Sequence, residues 1–535
     1  MASATVPSAS HRKEGRRRPL AESWRLLALV ALAAVAAAAF VAHRYWPFEP
    51  KLVIEDLQEA SDSRVTVRAF HRTYFPGPGC VLEGVVFTHG RVAEPLITIE
   101  RLTIRTGYLR ILSRHINTIE AEGLRVFIPA FGTGQSLHTQ SSTITIGGIV
   151  ANGATVEFAS REQGKPPLRF DVHEASIRDV GWGGPLTYRV KVHNPEPPGE
   201  VTAAGKFGVW NENDPGQTPI SGDYKFENAD LGVYGGIGGT LSSVGKFNGK
   251  LGHIDISGTT DTPDFEVRSG HHPVRLTTEF SAYVDGTNGD TFLHRVEAHF
   301  GKTHVVAQGS VAKSKDGKGK TALLSLVSDG GRIEDILGLF VKAPRSPMSG
   351  AIKLRANVEI PPGEPRFLEK IRLKGAFGIG AGEFSKASTQ EAVNKLSAGA
   401  RGEKDPDDPE TVLTDLTGQV ALDHGVATFT ELSFGIPGAA ARMHGTYGLI
   451  DHKIDLHGQM DVLTKMSNTV SGPKAFLLKV MDPFFKKRKK GEILPVRISG
   501  VYEKPTFGLD LNDKKAQVPL PRKPPPGRDN YAPFG

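Results

Sequence analysis

The sequence predicts a mainly β protein, with an N-terminal transmembrane helix followed by an elongated antiparallel β-sheet or groove and a few short helices. Past Pro50, polar and apolar residues alternate over short stretches, which is the pattern of strands with one dry face and one wet face. Glycine is abundant, with 61 residues among 535, and 36 prolines are spread along the chain. This composition favours many short strands joined by tight turns.

Several segments show the alternation clearly, and turn residues separate them. Because buried parallel strands have continuous apolar runs, the alternation favours antiparallel pairing. Roughly 25 strands spaced about 4.8 Å apart would form a ribbon at most about 120 Å long. The clearest alternating segments are 168–172, 188–192, 351–360, 453–456 and 507–511. The turn signals include Asp285-Gly286, Asn288-Gly289, Asp316-Gly317 and Pro361-Pro362-Gly363.

Three segments have helical periodicity instead: 331–341, 385–400 and 464–485. The third contains an apolar cluster that runs directly into a basic run, and we interpret it as a helix packed on the sheet with a solvated basic run after it. The alternative is that its end forms a candidate membrane-surface segment. The residues of this candidate segment are Phe484, Phe485, Lys486, Lys487, Arg488, Lys489 and Lys490.

The N-terminal region predicts a membrane anchor at 26–46. Leu26 to Ala42 is an unbroken apolar run that would be about 25 Å long as a helix, at the low end of what a bilayer requires. Six basic residues precede it, so the positive-inside rule keeps residues 1–25 in the cytoplasm and exports the rest. A cleaved signal peptide, with Ala37-Ala38-Ala39 near its cleavage site, is the alternative. The predicted anchor residues include Leu26, Leu27, Leu29, Val30, Leu32, Val35, Phe40 and Val41.

Charge and motif content exclude several classes of function. The net charge is +7, and the N-terminal tail contributes much of it, so we predict no nucleic-acid partner. Cys80 is the single cysteine, which allows no intrachain disulfide and is expected to be a packed thiol. His271 and His272 are adjacent, so on a strand they point to opposite faces and cannot easily chelate one ion. We therefore predict no metal, no cofactor and no catalytic residue. A Ser-His-Asp set would be assembled only by the fold, which keeps an enzyme as the alternative.

The C-terminal half of the chain has a recurring order of glycine-rich strands, a Pro-Gly turn and a closing Pro-x-Phe-Gly segment. The segments that show this order are Leu416-Thr417-Gly418, Asp423-His424-Gly425-Val426-Ala427, Pro437-Gly438-Ala439, Gly445-Thr446-Tyr447, Ile454-Asp455-Leu456-His457-Gly458 and Lys504-Pro505-Thr506-Phe507-Gly508. With these segments, residues 416–462 resemble the C-terminal repeat of the AsmA family, to which the TamB and YhdP group is related. The resemblance is clearest over about 220–510.

The resemblance implies a single-pass protein of the bacterial inner membrane whose bulk lies in the periplasm. AsmA-like proteins are linked to outer-membrane integrity and to phospholipid movement between envelope membranes. Partners would be phospholipid and the inner membrane. The alternative is a scaffold or assembly factor without lipid transport, whose partners would be other envelope proteins. Candidate lipid-groove residues are Ile352, Leu354, Ala356, Val358, Ile454 and Leu456, with a plain protein core as the alternative for both sets.

These expectations divide the chain into five segments. We predict a cytoplasmic basic tail at 1–25, an anchor at 26–46, an N-terminal β-rich region at 47–220, an AsmA-like β-rich region at 221–512 and a proline-rich flexible tail at 513–535.

Overall fold

The computed structural model shows a mainly β chain with few helices. It describes residues 48–61, 63–88, 95–108, 110, 115–128, 145–158, 167–180, 184–209, 211, 214–314, 319–341, 345–363, 367–385, 413–436, 439–462, 493–501 and 504–510.

Twenty-six strands and three α-helices make up the described fold. The helices are α1 (Pro50–Ser61), α2 (Ile333–Phe340) and α3 (Phe367–Lys370). The strands are β1 (Arg64–Thr66), β2 (Ala69–Thr73), β3 (Gly79–Thr88), β4 (Ile97–Arg105), β5 (His115–Glu122), β6 (Arg125–Ile128), β7 (Thr145–Phe158), β8 (Leu168–Val180), β9 (Leu186–Pro195), β10 (Pro198–Phe207), β11 (Pro219–Asp230), β12 (Ile237–Gly238), β13 (Thr240–Lys250), β14 (His253–Val267), β15 (Val274–Asp285), β16 (Asp290–Phe300), β17 (Thr303–Lys313), β18 (Lys320–Arg332), β19 (Met348–Ile360), β20 (Arg372–Phe384), β21 (Thr414–Asp423), β22 (Val426–Ile436), β23 (Ala439–Gly448), β24 (Lys453–Val462), β25 (Ile493–Val501) and β26 (Lys504–Leu509).

The strands form one long sheet that is mixed rather than wholly antiparallel. From β7 to β26 each strand pairs antiparallel with the next, apart from the two-residue β12, which pairs with β14. However, β7 runs parallel to both β5 and β6. A parallel pair needs a long connection, and β6 ends at Ile128 whereas β7 begins only at Thr145. The antiparallel prediction is wrong for this part of the sheet because it considered each strand without its connection.

Short turns with left-handed residues connect the antiparallel strands. Between β21 and β22, His424 and Gly425 both have positive φ, 48° and 75°, as a two-residue type I′ hairpin requires. Between β15 and β16, the carboxylate of Asp285 accepts hydrogen bonds from the backbone N–H of Thr287 and the side-chain amide of Asn288, at 2.9 and 2.8 Å. The turn signals at 285–289 are therefore confirmed, and these turns set the register of the strands beside them.

Glycines inside the strands allow neighbouring backbones to approach closely. A Cβ atom on Gly309 would overlap the carbonyl oxygen of Leu323, and one on Gly445 would overlap that of Asp455. Both glycines have φ above 140°, a conformation that residues with a Cβ rarely adopt. Glycine inside a strand often marks such a bend or close approach, so part of the high glycine content is a requirement of this sheet.

Two hydrophobic cores lie near the ends of the sheet. The N-terminal core packs Val53 of α1 with buried residues of β1, β3, β4, β5, β7 and β8, among them Cys80 and Leu82, which are fully inaccessible. The C-terminal core packs Ile333 of α2 with buried residues from β19 to β25. The prediction that Cys80 is a packed thiol is confirmed, and its burial raises its pKa to about 12.

Helix α2 confirms the helical pattern predicted at 331–341, and carboxylates in its first turn hold it in place. Asp335 accepts hydrogen bonds from the backbone N–H of Lys302 and the hydroxyl of Thr303, at 2.7 and 2.8 Å. Glu334 accepts one from the backbone N–H of Gly350 at 3.0 Å. Burial acts to raise the pKa of Glu334, but the N–H groups and Arg332 outweigh it and lower that pKa. The helix is thus tied to both the β16–β17 turn and the start of β19.

Several predicted elements lie outside the described residues. These are the anchor at 26–46, nearly all of the helix at 385–400, the helix at 464–485 with the basic run after it, the turn at 316–317 and the tail at 513–535. Among the helices of the described ranges, none combines the length and the hydrophobicity needed to cross a bilayer. The sheet itself passes through position 220 without interruption, because β11 pairs with β10 on one side and β13 on the other.

A polar network closes the C-terminal edge of the sheet. His457 bridges two carboxylates, since its Nδ1 hydrogen bonds the buried Asp510 and its Nε2 lies 3.1 Å from Asp455. The guanidinium of Arg497 donates to Asp455 from Nη2 at 2.7 Å. The Arg497 hydrogen bond, opposed by partial burial and assisted by His457, lowers the pKa of Asp455 below its ordinary value. The network joins β24, β25 and the residue that follows β26.

We expect Gly445→Ala to destabilise the protein by about 1–3 kcal/mol, because the new methyl group cannot fit without moving β24 away from β23. The matched control is Gly380→Ala in β20, where no atom of the described residues lies within 4 Å of the Cβ position. Denaturant unfolding of both variants checks this. Equal unfolding free energies for the two variants would contradict the close-approach argument.

We expect the stabilising contribution of Asp455 to depend on pH. Because its folded pKa is lowered below the ordinary 3.8, the contribution is present above that pH and is lost as the pH falls through the folded value. Wild type should therefore be more stable than Asp455→Asn at pH 6, with the difference shrinking below about pH 4. Thermal unfolding across this range is the measurement. Asp223→Asn, which removes an exposed carboxylate 3.6 Å from Lys246, should show a much smaller difference.

Candidate functional site

The two faces of the sheet differ sharply in chemistry. On one face, cross-strand ion pairs join neighbouring strands, for example Arg275 with Asp261 at 2.8 Å and Arg442 with Asp461 at 3.6 Å. We call this the polar face. The opposite face carries Ile352, Met443 and the other buried apolar residues of the two cores, and we call it the apolar face. Since side chains alternate along a strand, the register of each pair decides which residues share a face.

Direct register partners on the apolar face form one unbroken row across the sheet. The row takes one residue from every strand between β3 and β26 except β6 and β12, and none of its members is charged. We call it the apolar row. Its members, in order, are Cys80, Ile104, Ile119, Ile149, Ile177, Tyr188, Gly205, Gly222, Phe247, Ile256, Ala282, Leu293, Gly309, Leu324, Val358, Leu373, Leu422, Ala427, Tyr447, Ile454, Gly500 and Pro505.

The apolar face is least covered in the middle of the sheet, between β10 and β18. Large apolar side chains there remain partly exposed, among them Phe247, Ile256, Phe280, Leu293 and Leu324. A cavity of about 830 Å³ opens at the end of this stretch. Its lining includes five consecutive members of the apolar row, namely Leu293, Gly309, Leu324, Val358 and Leu373. This part of the row therefore borders the cavity, and Val358 within it is itself buried.

Glycines on the apolar face lie beneath aromatic rings. Gly222 is the register partner of Phe247, and Gly418 is the partner of Phe377. A Cβ on either glycine would come within about 3 Å of the partner ring, so each ring lies directly over its glycine. This cross-strand arrangement covers the exposed backbone with aromatic carbon. The surface along the row is thereby smooth and apolar.

Contacts between distant strands show that the sheet is curved. The ring of Phe367, which follows β19, lies against Gly236, which precedes β12. The backbone of Leu339 in α2 lies against Gly270, between β14 and β15. Because α2 also packs on the apolar side chains of β19, it lies on the inside of this curve. The apolar face is therefore the concave one.

Burial raises the pKa of three ionisable side chains on the apolar face. The row member Tyr188 has its pKa raised to about 12 by burial. Burial also raises the pKa of Tyr224, against a smaller opposing effect of its hydrogen bond with Ser243. The thiol of Cys80 is inaccessible and has a raised pKa, which is the opposite of what a reactive cysteine needs. The apolar row can therefore make van der Waals contact with an apolar ligand along its length.

The residues proposed from sequence as groove faces all lie on the apolar face. Ile352 belongs to the buried C-terminal core, and Leu354 packs against that core. Ala356 is buried as well. Val358 belongs to the apolar row and lines the cavity, while Ile454 belongs to the row and Leu456 packs against the core. The β19 residues thus extend from a closed core to an open cavity along a single strand. The anchor residues and the segment 484–490 lie outside the described residues.

Sequence reasoning missed the central row residues because bulges interrupt the alternation there. Leu293 and Val296 are three positions apart, yet both lie on the apolar face because the register shifts between them. The pairing with β15 shows the same bulge, because Ser281 pairs with Arg295 and Ala282 pairs with Leu293, which leaves His294 of β16 without a register partner on β15. A bulge inserts one unpaired residue and so hides the period of two. The pairing of each strand was the missing information.

Comparisons with known proteins found no match among protein-family models, curated proteins or solved structures.

Proposed function

We propose that the chain binds the acyl chains of phospholipid along the apolar row and conducts or shields lipid in the bacterial envelope. The observation that carries the proposal is the row itself, an uncharged path that crosses the described sheet from β3 to β26. At about 4.8 Å per strand, its contour length is roughly 100 Å. An acyl chain needs apolar contact and no specific hydrogen bond, so this function requires no catalytic residue.

The uncovered middle of the row supports a groove rather than a sealed sandwich. Soluble proteins rarely leave a large contiguous apolar surface uncovered unless a ligand, partner or membrane binds it. Here the partly exposed side chains of β10 to β18 form such a surface, and the row continues from it into the cavity. The polar face with its ion pairs would remain in water. Each strand would thus separate lipid from solvent.

The N-terminal end of the sheet has features that suit a membrane-proximal position. Phe75 is 89% exposed, and Tyr74 and Tyr108 beside it are also exposed. The hydroxyl of Tyr108 donates a hydrogen bond to the backbone oxygen of Tyr74. On the neighbouring β2, Arg72 lies 3.4 Å from Glu49, close in sequence to the proposed anchor at 26–46. Aromatic side chains are favoured at the bilayer interface, so we place this end of the sheet nearest the inner membrane.

Leu324→Glu should remove lipid from the central row, because a carboxylate would then lie among acyl chains. The protein is purified at full length and loaded with a phospholipid that carries a photoreactive acyl chain. Crosslinks to residues 274–332 are then quantified by mass spectrometry. We expect at least about tenfold fewer crosslinks there, equivalent to about 1.4 kcal/mol of lost binding.

The matched control is Val327→Glu, which places the same charge on the polar face of the same strand, at a partly exposed residue that does not line the cavity. It should retain wild-type crosslinking. Circular dichroism and the thermal midpoint establish that both variants fold. The proposal fails if wild type shows no crosslink, or if both variants crosslink like wild type. Global unfolding of Leu324→Glu alone would identify the row as a structural core and favour the scaffold alternative.

A further inference from the structure

Three metal-binding side chains converge on the polar face at the hairpin between β16 and β17. They are Glu297, His299 and His304, and their nearest donor atoms all lie within 4.8 Å of one another. The two imidazole rings face each other at a centroid distance of 4.5 Å with an interplanar angle of 20°. Glu297 Oε2 lies 3.8 Å from His304 Nε2.

The strand register explains why these residues meet. His299 and His304 are direct cross-strand partners in this short hairpin. Glu297 precedes His299 by two positions and therefore projects from the same face. The sequence signal is Glu-x-His followed by a histidine five positions later across a tight turn. Helix α2 holds that turn in place, because Asp335 accepts hydrogen bonds from the backbone N–H of Lys302 and the hydroxyl of Thr303.

The surrounding groups leave donor atoms available. Arg295 donates to Glu297 Oε1 at 2.6 Å, which leaves Oε2 directed toward the histidines. His304 Nε2 is shielded from solvent and has no hydrogen-bond partner among the described residues. A buried nitrogen without a partner costs free energy that a bound ion would recover.

We propose that Glu297, His299 and His304 bind a divalent transition-metal ion, with Zn²⁺ the best match for two imidazoles and one carboxylate. Zinc takes these ligands at about 2.0–2.2 Å, so its donor atoms lie roughly 3.3 Å apart in a tetrahedral site. Binding would bring the donor atoms from separations of up to 4.8 Å to that value. Glu279 is the register partner of Glu297 on β15, and it or a water molecule completes the set.

The ion would bind on the side of the hairpin opposite the apolar face. Val296 and Val305 project from the apolar side of the same two strands, in the least covered part of that face. A metal that joins β16 to β17 would therefore stiffen one wall of the open middle section. This inference does not depend on lipid binding, because the donor atoms lie on the polar face and the test measures zinc binding alone.

The test measures zinc binding by untagged, full-length protein with ZnCl₂ in isothermal titration calorimetry. We expect one equivalent to bind to wild type, and His304→Ala to weaken binding at least about tenfold, because a lost ligand removes one of the protein donors. Zinc should also raise the thermal midpoint of wild type but not of the variant. The matched control is His253→Ala, since His253 is a polar-face histidine stacked on Tyr283 outside this set.

Glu297→Gln provides a second variant that keeps the shape of the side chain, in case His304→Ala does not fold. It too should bind zinc at least about tenfold more weakly. Wild-type affinity in both folded variants would overturn the proposal. So would the absence of zinc binding by wild type, or an equal loss of binding in the His253→Ala control.

Discussion

The strand register is the constraint on which the rest of this structure depends. A slip of one residue at any pair would exchange the two faces and place charged side chains in the apolar row. The short turns set the register locally, as His424 and Gly425 do between β21 and β22. The bulge in β16 matters for the same reason, because it returns Leu293 and Val296 to the face shared with Ala282.

The curvature of the sheet depends on a second condition, namely glycine at the positions where neighbouring backbones approach most closely. Where Gly309 and Gly445 lie, the adjacent backbone occupies the volume that a Cβ would need. The sheet can then bend toward its apolar face, and α2 can reach from β18 to the β14–β15 connection. Aromatic partners such as Phe377 over Gly418 restore apolar contact where glycine removes it. Glycines of the apolar face thus serve both the bending of the sheet and its apolar lining, at different positions.

The apolar face consequently has two structural roles. Near the ends of the sheet it is packed by α1 and α2 and stabilises the fold through burial, at roughly 25 cal/mol per Å² of apolar surface. In the middle the same face has partly exposed leucine, isoleucine and phenylalanine side chains, which contribute less to folding and are available to a ligand. The ion pairs of the polar face add little stability individually. Their effect is to keep that face hydrated and to oppose slippage between strands.

The sequence by itself determined the β class, the turns at 285–289 and the helix that became α2, because each depends on residues near one another in the chain. Alternation along β19 also placed Ile352, Leu354, Ala356 and Val358 on one face. Only the tertiary structure decided which strands pair, and so it alone revealed the parallel pairs of β7, the apolar row and the meeting of His299 with His304. Pairing across bulges and long connections depends on contacts between distant parts of the chain, which local periodicity does not encode.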